Sequence, residues 1–473
     1  MSVVSTVITV ITSALIVYYL LHGVLFGGLV VRAAITIARE LAWPDTIAHD
    51  VTFANPLTPT VSVLVPAHNE GAGILQAVEA LLELRYPHVE IIVVDDGSTD
   101  RTAAIVIDEF DLVETEVPVL VQTVPQDGAT LATYRSRTHP SLILLRKDSV
   151  GRRSDAINAA LRVSTSELVL MIDGDSILEP DALLHVVQPF VDDAEVVAAG
   201  GVVLPSNGAR VHRGRIVSTA VPRGWIERTQ VLEYLRAFLV GRSGWSSLNG
   251  LMIISGAFGL FRRDIVVEMG GLDPTSLAED ADLVLGIHRM LRDRDQPFRV
   301  VFVPEPVCWS ETPSTLRVLG RQRNRWSQGL GELLWKYRRM MFRPRYGVLG
   351  CVTMPYFLAF ELFGPAAELV GLSSAVVGIV LGILPARLFL TYLGVSILLS
   401  VLVSLAALLV EEVSFARYPR ARDVEALFAA AFMEPLWYHL LHSWWRVTGL
   451  VRAIRRRESG WGEMTRAGFG QEP

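Results

Sequence analysis

The chain has 473 residues and a net charge of −6, and 51% of its residues are hydrophobic against only 19% charged, with a mean hydropathy of +0.38. This composition disfavours an ordinary soluble enzyme and indicates that part of the chain lies in a membrane, while the acidic balance disfavours nucleic-acid binding. The two cysteines, Cys308 and Cys351, are too few for a disulfide scaffold and lack the paired spacing of a zinc or iron–sulfur site.

The first predicted element is an N-terminal apolar helix. Residues 1–31 contain no Asp, Glu, Lys or Arg, and the apolar run exceeds the roughly 20 residues that cross a bilayer. Residues 1–40 are therefore predicted to form a transmembrane helix. A cleaved signal peptide is the alternative, but it would begin with basic residues and carry a shorter apolar core. Arg32 and Arg39 follow the apolar run and predict that the next domain faces the cytosol.

Residues 58–320 carry charged residues throughout and predict a cytosolic domain. Apolar runs at residues 61–66 and 90–94 predict two strands, and apolar residues at helical spacing between them complete a β-α-β unit. This alternation continues and predicts an α/β fold with a mainly parallel sheet covered by helices. The further predicted elements are helices after Asp100, at residues 153–162 and from Pro180, and a strand at residues 168–172.

Apolar density returns over residues 347–450, which predicts C-terminal transmembrane helices. The first two predicted spans are short, and Glu361, Pro365 and Glu368 lie between their centres, so they form either a tight hairpin or one kinked helix. The predicted spans are residues 348–363, 366–383, 388–410 and 424–445.

Basic residues give conflicting indications of topology. The arginines between residues 452 and 457 predict a cytosolic tail over residues 451–473 and an even number of crossings after the soluble domain. The arginines between residues 417 and 422 favour a cytosolic loop one span earlier. The number and orientation of the C-terminal spans therefore stay open.

Acidic residues follow all three of the clearest predicted strands. Ligands of open α/β sheets bind beyond the carboxyl ends of the strands, although carboxylates there also cap helices. Asp173 and Asp175 flank a glycine and can direct two carboxylates at Mg²⁺ or Mn²⁺, which would neutralise a phosphate-bearing ligand. The three strand ends read Pro66-Ala67-His68-Asn69-Glu70, Asp95-Asp96-Gly97-Ser98 and Asp173-Gly174-Asp175.

Two further motifs lie closer to the C-terminal apolar region. Ala278-Glu279-Asp280-Ala281-Asp282 begins a predicted helix, where acids also form a favourable first turn. Residues 321–346 are basic and aromatic and contain Gln322, Arg325 and Trp326. They predict an amphipathic interfacial helix with arginines outward and with a lipid-facing stripe in the headgroups, formed by Trp326, Leu330, Leu333 and Leu334.

Taken in order, these motifs resemble those of the membrane-integrated family 2 glycosyltransferases, which include the hyaluronan, cellulose and poly-N-acetylglucosamine synthases. The resemblance covers residues 60–345 and extends to the flanking membrane helices. It implies a GT-A fold and inverting transfer of a sugar from a nucleotide donor, normally a UDP-sugar.

The resemblance also implies roles for individual residues. Asp280 matches the catalytic base, beside Glu279. Asp173 and Asp175 match the motif that binds the metal and the diphosphate. The residues that match the nucleotide site are Pro66, Ala67, His68, Glu70 and Asp96. Ser255 and Gly256 match the loop that lines the acceptor site. The signature that closes over the diphosphate and the acceptor is matched by Gln322, Arg325 and Trp326.

Three features depart from the family pattern. Ala278 stands where the base motif usually begins with threonine. Arg153 stands where the family has a lysine near the diphosphate, and the two cations are not interchangeable. Residues 122–150 form a longer connection than expected, either a mobile lid or an ornament.

The sequence thus predicts a multi-pass enzyme of the inner or plasma membrane that polymerises sugar from a UDP-sugar and passes the chain through its own helices. Its partners would be a growing glycan or lipid acceptor and membrane lipids, with room for an accessory subunit. The alternatives are a single-transfer lipid glycosyltransferase and a degenerate nucleotide-binding subunit or channel. Glu361, Glu368 and Glu434 either mark a transport path or lie at interfaces.

Overall fold

The structure is a computed structural model in which residues 3–42, 55 and 57–455 are described. Most of the predicted cytosolic tail, residues 456–473, lies outside the described residues. Long helices precede and follow an α/β domain. The helices are α1 (Val3–Ala42), α2 (Ile74–Leu82), α3 (Thr102–Glu109), α4 (Arg153–Val163), α5 (Ala182–Asp192), α6 (Trp225–Leu235), α7 (Ser243–Ser246), α8 (Arg263–Glu268), α9 (Glu279–Asp293), α10 (Leu316–Lys336), α11 (Met354–Tyr356), α12 (Gly364–Val380), α13 (Ala386–Ser414) and α14 (Ala421–Ile454).

Within the described part of the chain, ten strands form one mixed sheet in the order β3-β4-β5-β2-β1-β6-β11-β8-β12-β7. The centre, β5-β2-β1-β6, is parallel, as predicted, and antiparallel pairs flank it. The strands are β1 (Val61–Ala67), β2 (Val89–Asp96), β3 (Leu112–Glu114), β4 (Thr130–Ser136), β5 (Leu142–Lys147), β6 (Leu168–Met171), β7 (Ser176–Leu178), β8 (Val196–Pro205), β11 (Gly259–Arg262) and β12 (Arg299–Ser310), with β9 (Arg210–His212) and β10 (Arg215–Ser218) as a separate hairpin.

The central strands are nearly continuous apolar runs because helices cover both faces of the sheet. Val63, Leu64 and Val65 of β1 are fully buried, as are Ile92 and Val93 of β2. The predicted α/β fold class is therefore confirmed.

The polar connection at residues 122–150 is part of the sheet. Strand β5 pairs parallel with β2, and β4 pairs antiparallel with β5. The apolar run 142–145 was the available signal for β5, whereas β4 is a largely half-exposed strand of mixed polarity, which periodicity does not separate from a loop. The segment is therefore neither a lid nor an ornament at these positions.

The sheet order brings the acidic strand ends together. Strand β1 lies between β2 and β6, with Ala67 opposite Asp95 and Leu64 opposite Met171. The turn after β6 passes close to the end of β1, because a Cβ on Gly174 would lie 3.0 Å from the carbonyl oxygen of Pro66. Glycine therefore lets the Asp173-Gly174-Asp175 turn lie against the first strand end.

Among the described residues, two helical segments are long and apolar enough to cross a membrane, Ser5–Arg39 and Phe389–Ser414. A third candidate is the pair Leu349–Leu362 and Gly364–Val380, bent by 42°. Of the two predicted arrangements for this region, the bend agrees with a kinked helix, and Pro365 lies at the break. The predicted fourth span falls in α14, which is not in this set.

The three acids in the apolar segments have basic partners on neighbouring helices. Pairing of this kind favours the expectation that they lie at helix interfaces. The closest pairs are Glu361 with Arg446 at 2.8 Å, Glu368 with His439 at 2.9 Å, and Glu434 with Arg236 at 2.5 Å.

Helix α10 begins at Leu316 and ends at Lys336, earlier at both ends than the expected 321–346. Its leucines contact protein, because Leu333 and Leu334 are buried in an apolar cluster with residues of α9 and α14. Asn324 donates to Thr448 Oγ1 at 2.6 Å, and Ser327 donates to the Arg446 carbonyl at 2.8 Å. The protein itself therefore covers Leu333 and Leu334 of the predicted lipid-facing stripe, whereas Leu330 is half-buried and Trp326 is 44% exposed.

Candidate active site

The loops after β1 and β2 are joined by hydrogen bonds. His68 Nδ1 lies 2.7 Å from the carbonyl oxygen of Asp96 and donates to it. Asn69 adopts a left-handed conformation, with φ of 57°, and its side-chain oxygen accepts from Thr99 N at 2.8 Å. The amide of Glu70 donates to Thr102 Oγ1 at 2.9 Å. These contacts fix the two loops for which the resemblance implies nucleotide binding.

A buried lysine lies beneath this end of the site. Lys147 Nζ is 2.6 Å from Asp96 Oδ1 and 2.7 Å from Asp155 Oδ2, and the lysine side chain is fully buried. Burial disfavours the ammonium, but the hydrogen bonds and charges of Asp155 and Asp96 outweigh it and raise the pKa of Lys147. Ser149 donates to the other oxygen of Asp96 at 3.0 Å. The Asp96 carboxylate is thus held from two sides.

Asp155 extends this network to the segment before β4. Its carboxylate accepts from Asp127 N at 2.6 Å and from Gly128 N at 3.2 Å. Lys147 and Asp155 are not among the site residues predicted from the sequence. The sequence shows only that Lys147 lies just after the apolar run 142–145, and its position opposite Asp96 follows from the pairing of β5 with β2.

Arg153 connects three of the predicted motifs. Its Nε donates to Asp173 Oδ1 at 2.7 Å, Nη1 to Glu279 Oε1 at 3.2 Å, and Nη2 to the Gly256 carbonyl at 2.7 Å. A Cβ on Gly256 would lie 3.1 Å from Arg153 Nη1, so glycine leaves space for the guanidinium. Burial acts to lower the pKa of Arg153, but the charges of Asp173 and Glu279 outweigh it and raise the pKa. The guanidinium therefore stays charged.

Asp280 lies in the first turn of α9 and is oriented by two backbone amides. Gly256 N donates to Oδ2 at 3.1 Å, and Ala281 N donates to Oδ1 at 2.8 Å. Burial raises the pKa of the neighbouring Glu279, while Arg153 opposes that shift. Asp280 is thus bound directly to the amide of Gly256, whereas Glu279 is linked to the carbonyl of Gly256 through Arg153. Ser255 also belongs to this loop, because its carbonyl accepts from Phe258 N at 3.0 Å.

Helix α10 packs against the start of α9. A Cβ on Gly329 would lie 3.0 Å from the Ala278 Cβ, so the residue that replaces the family threonine faces a glycine. Lys336 Nζ lies 2.8 Å from Asp282 Oδ2. Arg325, on the same helix, interacts electrostatically with Glu279. Of the Gln-x-x-Arg-Trp signature, Arg325 therefore lies near the acidic motif.

The donor set of the Asp173-Gly174-Asp175 turn fits a hard divalent cation. Asp175 is buried, and the Asp173 side chain is 32% exposed. Over the described ranges, no group of three or more His, Cys, Asp or Glu side chains is arranged to hold a metal ion. Two carboxylates suit Mg²⁺ or Mn²⁺ when substrate phosphates supply further ligands.

The predicted site residues form two contact groups. His68, Glu70 and Asp96 belong to the strand-end loops above Lys147, and Pro66 joins them to the other group through its contact with Gly174. The second group is linked directly by Arg153 and Gly256 and contains Asp173, Glu279 and Asp280, with α10 packed beside it.

Comparison with known proteins identifies the family. A family model described as "Glycosyltransferase like family 2" matches residues 59–329, more than half of the chain. The chain belongs to glycosyltransferase family 2. This membership confirms the resemblance inferred from the motifs and establishes that the protein is a transferase of the glycosyltransferase class.

Curated relatives of this family 2 chain are distant. It is 26% identical over 308 residues to "Probable glycosyltransferase YdaM" of Bacillus subtilis (strain 168), covering 64% of this chain and 63% of the relative. It is 26% identical over 304 residues to "Poly-beta-1,6-N-acetyl-D-glucosamine synthase" of Staphylococcus aureus (strain COL), covering 64% of this chain and 60% of that protein. The matches thus span less than two thirds of the relatives' length.

A solved structure shares the fold over most of this family 2 chain. It is titled "Mannosyltransferase PcManGT from Pyrobaculum calidifontis in complex with GDP-Man and Mn2+", and the superposition has a TM-score of 0.53. It covers 92% of this chain and 99% of the other at 20% sequence identity, which supports the fold alone. The GT-A architecture that the resemblance implied is therefore present.

Replacing Lys147 with methionine is expected to destabilise the protein strongly. The substitution leaves the Asp96 and Asp155 carboxylates buried without their cation, which costs about 3–5 kcal/mol of unfolding free energy. Denaturation in detergent, followed by tryptophan fluorescence, measures the loss. Arg146→Met is the matched control on the same strand, because the Arg146 side chain is 42% exposed and lies 3.5 Å from Asp95. Equal losses in the two variants would refute the role given to the buried pairs.

Proposed function

We propose that the protein transfers a sugar from a UDP-sugar with inversion, extends a β-linked polysaccharide processively and passes it through its own helices. One observation carries the proposal. Arg153 contacts Asp173 of the candidate metal motif, Glu279 of the base motif and the carbonyl of Gly256, whose own amide orients Asp280. The contacts therefore support one continuous site for a diphosphate leaving group and a base.

The residues that bind the nucleotide-sugar donor are assigned from their charge and from their position at the strand ends. Pro66, Ala67, His68, Glu70 and Asp96 hold the nucleotide at the strand ends, with Asp96 kept in place by Lys147. Asp173 and Asp175 hold Mg²⁺ or Mn²⁺, which would neutralise the diphosphate and stabilise it as a leaving group. Arg153 and Arg325 supply permanent positive charge on the protein side.

Asp280 is assigned as the general base. In a single displacement, an acceptor hydroxyl attacks the anomeric carbon and its proton passes to the Asp280 carboxylate. The bond between the anomeric carbon and the phosphate oxygen breaks, and its electron pair leaves with the nucleotide diphosphate. No covalent sugar intermediate is needed, so a second carboxylate as nucleophile is not required. Ser255, Gly256, Gln322 and Trp326 line the acceptor side.

Polymer synthesis at a membrane is the favoured outcome. Two segments of the described chain are suited to cross a membrane, and a relative is named for synthesis of a polysaccharide. We assign residues 1–40 and 347–450 to the membrane, and residues 58–320 with the interfacial helix and the tail to the cytosolic side, because Arg32 and Arg39 follow the first span. An acceptor held beside Trp326 would be extended without release.

A single-transfer enzyme is the second candidate. The structural neighbour that covers 92% of this chain is titled a mannosyltransferase and holds GDP-Man. That title favours testing other nucleotide donors and lipid acceptors beside UDP-sugars.

The deciding experiment offers purified protein in nanodiscs a panel of radiolabelled UDP-sugars and GDP-mannose with Mg²⁺ or Mn²⁺, with and without polyprenyl lipids, and sizes the products. Polymer from one UDP-sugar is the expected result. One sugar on a lipid would establish the second candidate. Nucleotide binding without product, also in the presence of membrane extract supplying acceptors and partner subunits, would indicate a degenerate subunit.

Asp280→Asn is expected to abolish transfer and leave UDP binding largely unchanged, because the amide keeps the shape of the side chain but does not accept the proton. A loss of at least about 100-fold in rate matches the usual contribution of a general base. Product formation and calorimetric UDP binding measure the two effects. Asp264→Asn, at a side chain that is 63% exposed, is the control. Turnover at the wild-type rate in Asp280→Asn would exclude Asp280 as the base.

Asp175→Ala is expected to weaken UDP binding only when Mg²⁺ or Mn²⁺ is present, because it removes one of two proposed metal ligands. Titration of UDP with the metal and with EDTA measures the metal-dependent part. The control is Asp111→Ala, a side chain that is 55% exposed and remote in sequence from the motif. If Asp175→Ala leaves the metal dependence unchanged, the ligand assignment is wrong.

A further inference from the structure

The signature Gln-x-x-Arg-Trp has two variable positions, and the structure places a buried arginine in the first of them. Arg323 is 1% exposed. Its Nη1 donates to Gln322 Oε1 at 2.7 Å, and its guanidinium lies over the Trp326 ring, 4.2 Å from the centroid. One side chain therefore contacts two of the signature residues.

The same guanidinium is anchored from outside α10. Its Nη2 donates to Glu233 Oε2 at 2.7 Å, on helix α6 of the catalytic domain. Burial acts to raise the pKa of Glu233, but the charge and the hydrogen bond of Arg323 oppose it, and the pKa is about 2. The carboxylate is therefore ionised at any pH at which the enzyme would work.

Glu233 is also contacted by the C-terminal helix α14. Tyr438 donates its hydroxyl to Glu233 Oε2 at 3.1 Å, and His442 Nε2 lies 3.8 Å from Glu233 Oε1. The contacts run from α14 through Glu233 to Arg323 and from there to Gln322 and Trp326. Three parts of the chain that are distant in sequence thus meet at one carboxylate.

We propose that Arg323, anchored by Glu233, is a positioning residue that fixes Gln322 and Trp326 at the acceptor side of the site. The proposal rests on the proposed function for the acceptor role of those two residues. A guanidinium is one rigid plane, so a displacement of the nitrogen that binds Glu233 also displaces the nitrogen that binds Gln322 and the face that lies over Trp326. The bond to Oε1 also directs the amide nitrogen of Gln322 away from Arg323.

Lysine does not reproduce this arrangement. An ammonium can pair with Glu233, but it has no planar face for Trp326 and no fork of donors that reaches Gln322 at the same time. Arg323→Lys therefore separates charge pairing from positioning. A purely structural ion pair would tolerate this change better than a positioning residue would.

Replacing both Glu233 and Arg323 with apolar side chains separates a role in stability from a role in positioning Gln322 and Trp326. Buried ion pairs are often replaced by apolar side chains of similar volume without loss of stability, whereas removal of one partner is damaging. The double variant Glu233→Leu with Arg323→Met is therefore expected to stay folded. Arg321→Met, at an exposed position two residues away on the same helix, is the matched control.

The first measurement uses no substrate. The fluorescence of Trp326 is obtained by subtracting the spectrum of a Trp326→Phe variant from that of the same protein with Trp326 present. This is done in four backgrounds: wild type, Arg321→Met, Arg323→Lys and the apolar pair, which is the double variant Glu233→Leu with Arg323→Met. A shifted and more readily quenched Trp326 signal is expected in the last two backgrounds, with the unfolding midpoint within a few degrees of wild type. An unchanged signal in both would overturn the proposal. If the apolar pair does not fold, Arg323→Lys decides the outcome.

The second measurement uses the acceptor and donor identified by the product assay. The apolar pair and Arg323→Lys are expected to raise the acceptor KM about 10-fold and lower kcat, with the donor KM unchanged, since positioning is lost on the acceptor side only. Wild-type acceptor KM and kcat in both variants would overturn the proposal. Absence of transfer in the wild-type protein would instead count against the proposed function, and the Trp326 spectra would still test the positioning role.

Discussion

The crowding of carboxylates at one edge of the sheet is the constraint on which the site depends. Strand β1 between β2 and β6 brings Asp95, Asp96, Asp173 and Asp175 to neighbouring strand ends, where like charges repel strongly in partly buried surroundings. Two buried cations offset this repulsion. Lys147 lies between Asp96 and Asp155, and Arg153 lies between Asp173 and Glu279. Each cation also fixes the direction of its carboxylates, so stability and the geometry of the site have the same origin.

Helix α10 extends this constraint toward the membrane. It contacts α9 through Ala278 and Gly329, and it contacts α14 through Asn324 and Ser327. Glu361 and Glu368 pair with Arg446 and His439 inside the C-terminal helices, whereas Glu434 pairs with Arg236 and so joins α14 to the catalytic domain. A helix fixed from both sides suits the role proposed for its signature, which is to contact the donor and the acceptor together.

Much of the fold was predictable because the spacing of apolar residues in strongly periodic segments indicates both the element type and its buried face. Strands β1, β2 and β6 and helices α3 and α4 formed where their apolar patterns indicated. Strand β4 was not predictable, because a half-exposed strand of mixed polarity lacks a clear pattern, and pairing with β5 is what selects the strand. Helix α10 also depends on contacts that the sequence does not specify. Its pattern predicted leucines facing lipid, but α9 and α14 cover Leu333 and Leu334.

The sequence by itself determined the family, the order of its motifs and the residue types available for binding a nucleotide, a metal and a proton. Tertiary structure decided which of those residues touch. Lys147 and Arg323 look like ordinary basic residues in the sequence, and both are buried between partners that lie far away along the chain. The physical reason is that the cost of burying a charge depends on its spatial neighbours, which sequence spacing does not specify.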